Sequence, residues 1–164
     1  MTRAASVSAH MRILLACIAA LLVLPAAAVA EVPDDATWTE DYIVTPGQPT
    51  LHVDILKPKD AEPGVKLPAI VSVGPYFGHS GSPDAPDPTA QGPVLRWKDL
   101  IEEAKIFERG DALVQVDLRG FGGSAGCNDF GGPGEQTDVK RAVEWTTSQP
   151  WSTGKAALYL RLLA

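Results

Sequence analysis

Residues 122–126 form a Gly-x-Ser-x-Gly pentapeptide with Ser124 at its centre. Where this pattern holds a serine nucleophile, a strand runs directly into it and a helix leaves it directly, so that a strained turn exposes the hydroxyl. Here residues 117–121 separate the pentapeptide from the preceding apolar run, and residues 127–134 contain four more glycines or prolines. The nucleophile also needs a histidine later in the chain, and none follows His79. The sequence therefore predicts that Ser124 is a loop residue.

Asp117 and Arg119 are the charged residues at the end of a predicted strand, and Gly120 follows them. An acidic and a basic side chain in this position could form a local charge-assisted clamp that fixes the following loop. We predict a structural role of this kind for both residues. Direct contact with a substrate is the second interpretation.

The remaining polar residues indicate neither a second catalytic pair nor a bound group. His79 and Ser80 are neighbours in a loop without an evident orienting acid, and such a pair rarely holds productive geometry. His52 is interpreted as an ordinary strand residue. Asp84 and Asp87 lie between prolines without further metal ligands, and the glycine run 131–134 lacks the lysine of a phosphate-binding loop. We therefore predict no metal site and no cofactor.

The elements that must position these residues follow from the apolar pattern. Alternation of strands and helices after a hairpin predicts a mostly parallel sheet with right-handed crossovers. A ligand site would then lie at the carboxyl ends of the strands, between loops 74–93 and 117–133. The predicted elements are a hairpin (42–44 and 51–56), strand 67–73, helix 94–107 with Gly110 as its stop signal, strand 112–116, helix 135–148 and a strand starting at 156.

The first 30 residues have the features of a secretory signal peptide. Arg3 and Arg12 form a positively charged segment before an apolar run, 13–24, that is too short to span a bilayer comfortably, and Ala28-Val29-Ala30 is a cleavage signature. We expect cleavage after Ala30, export to the periplasm or the medium, and no stable membrane span afterwards. Removing Arg3 and Arg12 from the 14 basic residues leaves 12 against 20 acidic ones, which argues against nucleic acid as a partner.

Several motifs in a fixed order resemble the X-prolyl dipeptidyl peptidase family, which includes cocaine esterase and the α-amino-acid ester hydrolases. They are Gly74-Pro75-Tyr76, Asp117-Leu118-Arg119-Gly120 with Gly122-Gly123-Ser124, Gly132-Pro133-Gly134-Glu135-Gln136-x-Asp138, and Gln149-Pro150-Trp151-Ser152-Thr153-Gly154-Lys155. The resemblance implies an α/β-hydrolase fold, a Ser-Asp-His triad and hydrolysis of a peptide, ester or amide through an acyl-enzyme. It also implies that Tyr76 donates its hydroxyl to the oxyanion hole. The alternative is that Tyr76 is an aromatic plug under the loop.

The resemblance extends to Tyr159, beyond which the family has a strand leading into Gly-x-Ser-Tyr-x-Gly and this sequence has 160–164, Leu-Arg-Leu-Leu-Ala. We therefore interpret 31–164 as a partial domain, the N-terminal half of the fold, without nucleophile, acid or base, and expect no turnover by this chain. A frameshift or early stop would explain the change. The second hypothesis is a small secreted binding or accessory domain without catalysis. The sequence does not predict the oligomeric state.

Overall fold

A computed structural model describes residues 32–75 and 98–159 of the chain. Five strands form one sheet, in the spatial order β1-β2-β4-β3-β5. Two helices lie between the later strands, as the alternating pattern predicted. The elements are β1 (Ala36–Ile43), β2 (Leu51–Pro58), β3 (Leu67–Gly74), α1 (Lys98–Ala104), β4 (Ala112–Asp117), α2 (Pro133–Ser148) and β5 (Ser152–Tyr159).

The hairpin is antiparallel and the crossover strands are parallel. β1 pairs with β2 from Ala36↔Pro58 to Ile43↔Leu51. β2 then joins β4 in the antiparallel direction, whereas β3 runs parallel to both β4 and β5. β1 begins at Ala36, six residues before the predicted start. Most of its side chains are exposed, so its apolar signal is weak.

Both faces of the sheet are covered, and all six residues of β4 are buried. On one face Val53, Val71 and Val114 belong to the same apolar cluster as Ala142 of α2. On the other face Leu56 and Leu113 pack with Ile106, two residues after α1. Because successive strand residues point to opposite faces, β2 and β4 also carry polar residues on the α1 face, toward the carboxyl end of β4.

The α1 helix ends at Ala104, three residues before the end predicted from apolar spacing. Lys105 takes a left-handed conformation, with φ 52°. The N–H of Ile106 donates to the carbonyl of Ile101, and the N–H of Lys105 donates to that of Glu102. These bonds form a Schellman cap, whose left-handed position is usually glycine. The cap was not evident from the sequence because a lysine occupies that position.

The first residues of β5 differ from the prediction. The strand begins at Ser152 rather than Ala156, and its pairing with β3 shifts register between Leu67 and Ala69. Gly154 has a positive φ, and Thr153, Gly154 and Lys155 are all exposed. An exposed segment with a central glycine carries no strand-like apolar alternation, so the prediction started too late.

Candidate functional site

Asp117 lies at the carboxyl end of β4 and is fully buried. Its Oδ2 accepts a hydrogen bond from the backbone N–H of Gly123 at 3.1 Å. The N–H of Leu118 donates to the carbonyl of Gly74 at 3.1 Å, which holds the ends of β3 and β4 together. Asp117 thus fixes the loop that follows its own strand through a backbone N–H.

Gly122 is required where the loop crosses Asp117. Its φ is +50°, and a Cβ built on it would overlap the carboxylate of Asp117. The close approach and the left-handed conformation together make any residue other than glycine costly at this position. This explains one glycine of the Gly-x-Ser-x-Gly pentapeptide as a packing requirement.

We expect Gly122→Ala to lower the free energy of unfolding by about 2–4 kcal/mol, because strain in the left-handed region adds to a clash. Gly131→Ala is the matched control, since Gly131 also has a positive φ but open space at its Cβ. That change should cost about 1 kcal/mol. Urea unfolding of both variants measures the difference, and equal losses would contradict the clash with Asp117.

Ser124 is held in the same loop by two backbone groups. Its hydroxyl donates to the carbonyl of Asp117 at 2.7 Å and accepts from the backbone N–H of His52 at 2.8 Å. β4 ends seven residues before Ser124, and α2 starts nine residues after it. No strand–turn–helix elbow surrounds Ser124, so the structure places it as a residue that ties the loop to β2.

His52 lies close to Ser124 and Asp117, the other two residue types of a Ser-His-Asp triad, but the three are not arranged as in a triad. Its Nδ1 lies 3.3 Å from Asp117 Oδ2, and its Nε2 lies 3.3 Å from Glu40 Oε1. In a triad the second ring nitrogen would face the serine hydroxyl. Here Ser124 contacts the backbone of His52, and Glu40 faces the ring. Ser124, His52 and Asp117 therefore do not form a catalytic triad.

The charge state of His52 follows from its surroundings. Burial in the sheet by itself lowers the pKa of the imidazole. The hydrogen bond to Asp117 and the charges of Asp54, Asp117 and Glu40 outweigh burial, so the pKa of His52 is raised above its ordinary value. The sequence predicted only a strand residue at this position, and the structure places His52 at the centre of an ionic cluster.

Arg119 lies on the opposite side of the loop and binds α2. Its Nε donates to Asp138 Oδ2 at 2.7 Å, and its Nη2 donates to Asp138 Oδ1 at 2.8 Å. This bidentate bond raises the pKa of Arg119. The structure corrects the predicted local clamp, since Asp117 and Arg119 fix the loop through different partners on different elements.

Asp138 also binds a second arginine, which anchors the hairpin turn. Arg141 Nη1 donates to Asp138 Oδ1 at 3.2 Å. Its Nη2 donates to the carbonyls of Ile43 and Pro49, and its Nε donates to the hydroxyl of Thr45. One carboxylate on α2 therefore joins the loop after β4 to the turn between β1 and β2. Asp138 was noted only as part of the family motif, and Arg141 was missed because its partners in the hairpin turn are over 90 residues away.

The segment before α2 is closed by two reciprocal caps. Asp129 accepts from the N–H groups of Gly134 and Glu135, and Glu135 accepts from those of Asp129, Phe130 and Gly131. Desolvation raises the pKa of Asp129, but the N–H groups of Glu135 and Gly134 and the charge of Arg119 lower it overall. The glycine run 131–134 thus serves a tight turn, in agreement with the absence of a phosphate-binding pattern.

Several residues discussed from the sequence either lie outside the described residues or are exposed. Tyr76, the predicted oxyanion donor, lies outside the described residues, as do His79, Asp84 and Asp87. The role of Tyr76 therefore stays a prediction, although Gly74 two residues before it lies at the carboxyl end of β3. Cys127 is an exposed free thiol. Among the described helices, none is long and apolar enough to cross a membrane.

Solved structures with the same arrangement define the class of fold. A hypothetical protein from Pseudomonas aeruginosa superposes with a TM-score of 0.53 at 20% identity, over 78% of this chain and 36% of the other. A CocE/NonD family hydrolase from Staphylococcus aureus gives a TM-score of 0.52 at 20% identity, over 73% of this chain and 22% of the other. The fold is therefore that of an α/β-hydrolase, as the resemblance implied.

Sequence comparison gives the family within that class. The sequence model of the X-Pro dipeptidyl-peptidase (S15) family matches residues 47–159. A putative Xaa-Pro dipeptidyl-peptidase from Streptomyces avermitilis is 33% identical over 97 residues, which are 57% of this chain and 14% of the relative. This protein belongs to the X-Pro dipeptidyl-peptidase family of hydrolases, and the chain spans about a seventh of that curated relative's length.

Proposed function

We propose that the reaction associated with this scaffold is hydrolysis of a peptide bond after proline, or of an ester or amide, through an acyl-enzyme. Family membership over residues 47–159 is the observation that carries the proposal. The related Streptomyces protein is described as a putative Xaa-Pro dipeptidyl-peptidase, which favours a small peptide as substrate. In this proposal Tyr76, just after β3, supplies the oxyanion-hole hydroxyl.

We further propose that the 164 residues alone do not turn over a substrate. Acyl transfer needs a nucleophile next to a base that is itself oriented by an acid. The hydroxyl of Ser124 is bound to two backbone groups, and the ring nitrogens of His52 face carboxylates. The printed sequence has no histidine after His79. The described residues thus supply the scaffold around Asp117 and Arg119 rather than a triad.

A serine-directed fluorophosphonate is expected to leave the purified 164-residue chain unlabelled, because the hydroxyl of Ser124 is bound to two backbone groups and, within the described residues, faces no imidazole nitrogen. Gel fluorescence after incubation measures the labelling, with a serine hydrolase of known activity as the positive control. The chain should likewise release no nitroaniline from an aminoacyl-proline nitroanilide and no nitrophenol from a nitrophenyl ester above the blank. Labelling that disappears in Ser124→Ala would overturn this assignment of Ser124.

The second candidate is a small binding or accessory domain without catalysis. The loop after β4 favours it, because side chains of β4, α2 and the loop itself hold this segment in place. A monomer with one cooperative thermal transition would support such a domain. Aggregation, or a compact state without a cooperative transition, would support a scaffold that needs further hydrolase segments.

Export is the proposed location, on the strength of the N-terminal charge and apolar pattern. Expression of the chain in a secreting bacterium should yield a product whose N-terminus is Glu31. N-terminal sequencing of periplasmic and medium fractions tests the cleavage site, and an intact Met1 in the cytoplasm would contradict it.

A further inference from the structure

Side chains of three neighbouring strands form a polar cluster on the α1 face of the sheet, buried except at its outer end. The register pairs Glu40 with Asp54 and Asp54 with Gln115, so these three side chains lie on one face. His52 is two residues before Asp54 and therefore points to the same face. One potential ligand atom from each of Glu40, His52 and Asp54 lies within 4.8 Å of the others. We propose that this cluster is a structural binding site for a divalent transition-metal ion, with Zn²⁺ as the best-matched probe.

The geometry of the imidazole and the exposed carboxylate fits zinc. Nε2 of His52 and Oε1 of Glu40 are 3.3 Å apart. Zn–N and Zn–O bonds of about 2.0–2.1 Å in a tetrahedral site place two ligand atoms about 3.3 Å apart. Imidazole nitrogen with carboxylate oxygen suits Zn²⁺ better than Mg²⁺ or Ca²⁺, which prefer oxygen ligands alone.

The other nitrogen of His52 lies next to a carboxylate, the type of partner found in known metal centres. Metal-binding histidines almost always donate their second ring N–H to a carboxylate, a backbone carbonyl or water, which fixes the ring. Nδ1 of His52 lies 3.3 Å from the carboxylate of Asp117, which is itself held by Gly123. Asp117 is therefore a positioning residue for the metal ligand.

Gln115 is an independent indication that this cluster accommodates a ligand. Its side chain is fully buried directly across from Asp54, and within the described residues neither amide atom has a hydrogen-bond partner. Buried amides without partners are rare and costly. An ion held by Glu40, His52 and Asp54 would give the amide oxygen of Gln115 a partner, as a fourth ligand.

The cluster also has an entry path and a physical consequence. The Glu40 side chain is 35% exposed, whereas His52 is fully buried, so an ion would enter past Glu40. Trp38 Nε1 donates to Asp54 Oδ1 at 2.8 Å, which orients this carboxylate from the outer strand. Bound metal would fasten the edge strand β1 to β2, and the proton on Nε2 of His52 would be released on binding.

The experiment uses the full chain in a Cys127→Ser background, which removes the exposed thiol as a competing ligand. The chain is freed of metal with a chelator, its fold is verified by circular dichroism, and Zn²⁺ is titrated against a chromophoric chelator. We expect one ion per chain, a higher Tm with Zn²⁺ than with EDTA, and little response to Mg²⁺. A folded chain that binds no Zn²⁺ overturns the proposal.

Variants assign the ion to this cluster. Glu40→Gln should weaken binding by about 100-fold, and Asp117→Asn by about 10–100-fold through loss of the histidine orientation. Asp41→Asn, an exposed neighbour on the same strand, is the matched control and should bind as the parent does. Equal affinity for Glu40→Gln and Asp41→Asn would show binding elsewhere and refute the site. If Glu40→Gln does not fold, the absorption spectrum of the parent protein with Co²⁺ tests the site instead. Weak bands typical of octahedral Co²⁺ would refute the proposed tetrahedral site with a histidine ligand.

Discussion

Asp138→Ala is expected to lower the free energy of unfolding by about 3–5 kcal/mol, the cost of breaking a buried ion pair from one side. Asp138 is fully buried, and the side chains of Arg119 and Arg141 are only 14% and 7% exposed. Without the carboxylate both guanidinium groups lose their charged partner in a region with little access to water. The loop after β4 and the turn between β1 and β2 should loosen together, which hydrogen exchange can detect.

Glu144→Ala is the matched control for this prediction. Glu144 lies on the same helix and pairs with Lys140 at 3.6 Å, but both side chains are more than 60% exposed. An exposed pair at this spacing contributes about 0.3–0.5 kcal/mol. Denaturant unfolding of the two variants gives the comparison, and losses within 1 kcal/mol of each other would contradict the central role of Asp138.

His52→Gln is also expected to lower the free energy of unfolding by about 3–5 kcal/mol near pH 6. The substitution removes the cation from a group of buried carboxylates. The pKa of His52 is raised in the folded protein, so the folded state holds its proton more tightly than the unfolded chain does. This contribution to stability is therefore complete below about pH 6.5 and is lost as the pH rises through the raised pKa. The difference in unfolding free energy between wild type and His52→Gln should therefore decrease as the pH rises through this range.

Unfolding free energies at a series of pH values, in buffer with EDTA to keep the cluster free of metal, measure this effect. Glu40→Gln provides the internal comparison, because the charge of Glu40 helps to raise the pKa of His52. Its loss should move the window to lower pH. A difference between wild type and His52→Gln that stays constant from pH 6 to pH 9 would contradict a raised pKa of His52 in the folded protein.

The sheet could be predicted from local patterns because each buried strand is a short apolar run. Residues 67–73 and 112–116 were assigned correctly, and the helix before β5 was placed to within two residues of its observed start. The end of α1 and the start of β5 were misplaced. In both places the chain departs from an apolar pattern, through the left-handed Lys105 and the exposed segment around Gly154.

The candidate site was less predictable because its contacts connect distant parts of the chain. Ser124 and His52 are 72 residues apart, and Arg141 and Ile43 are 98 apart. The sequence places Asp117 and Arg119 at the end of a strand, but it carries no signal that one faces His52 and the other faces Asp138.

The sequence by itself determined the order of the elements, the family and the rejection of Ser124 as a nucleophile. The first two conclusions depend on local composition and motif spacing. The third depends on the loop context of Ser124 and on the lack of a histidine after it in the sequence. Only the tertiary structure decided that Glu40, His52, Asp54 and Gln115 meet on one buried face, and that Asp138 joins two arginines. The physical reason is that strand register and sheet order fix which side chains become neighbours, and the hydrophobic pattern of a single strand specifies neither.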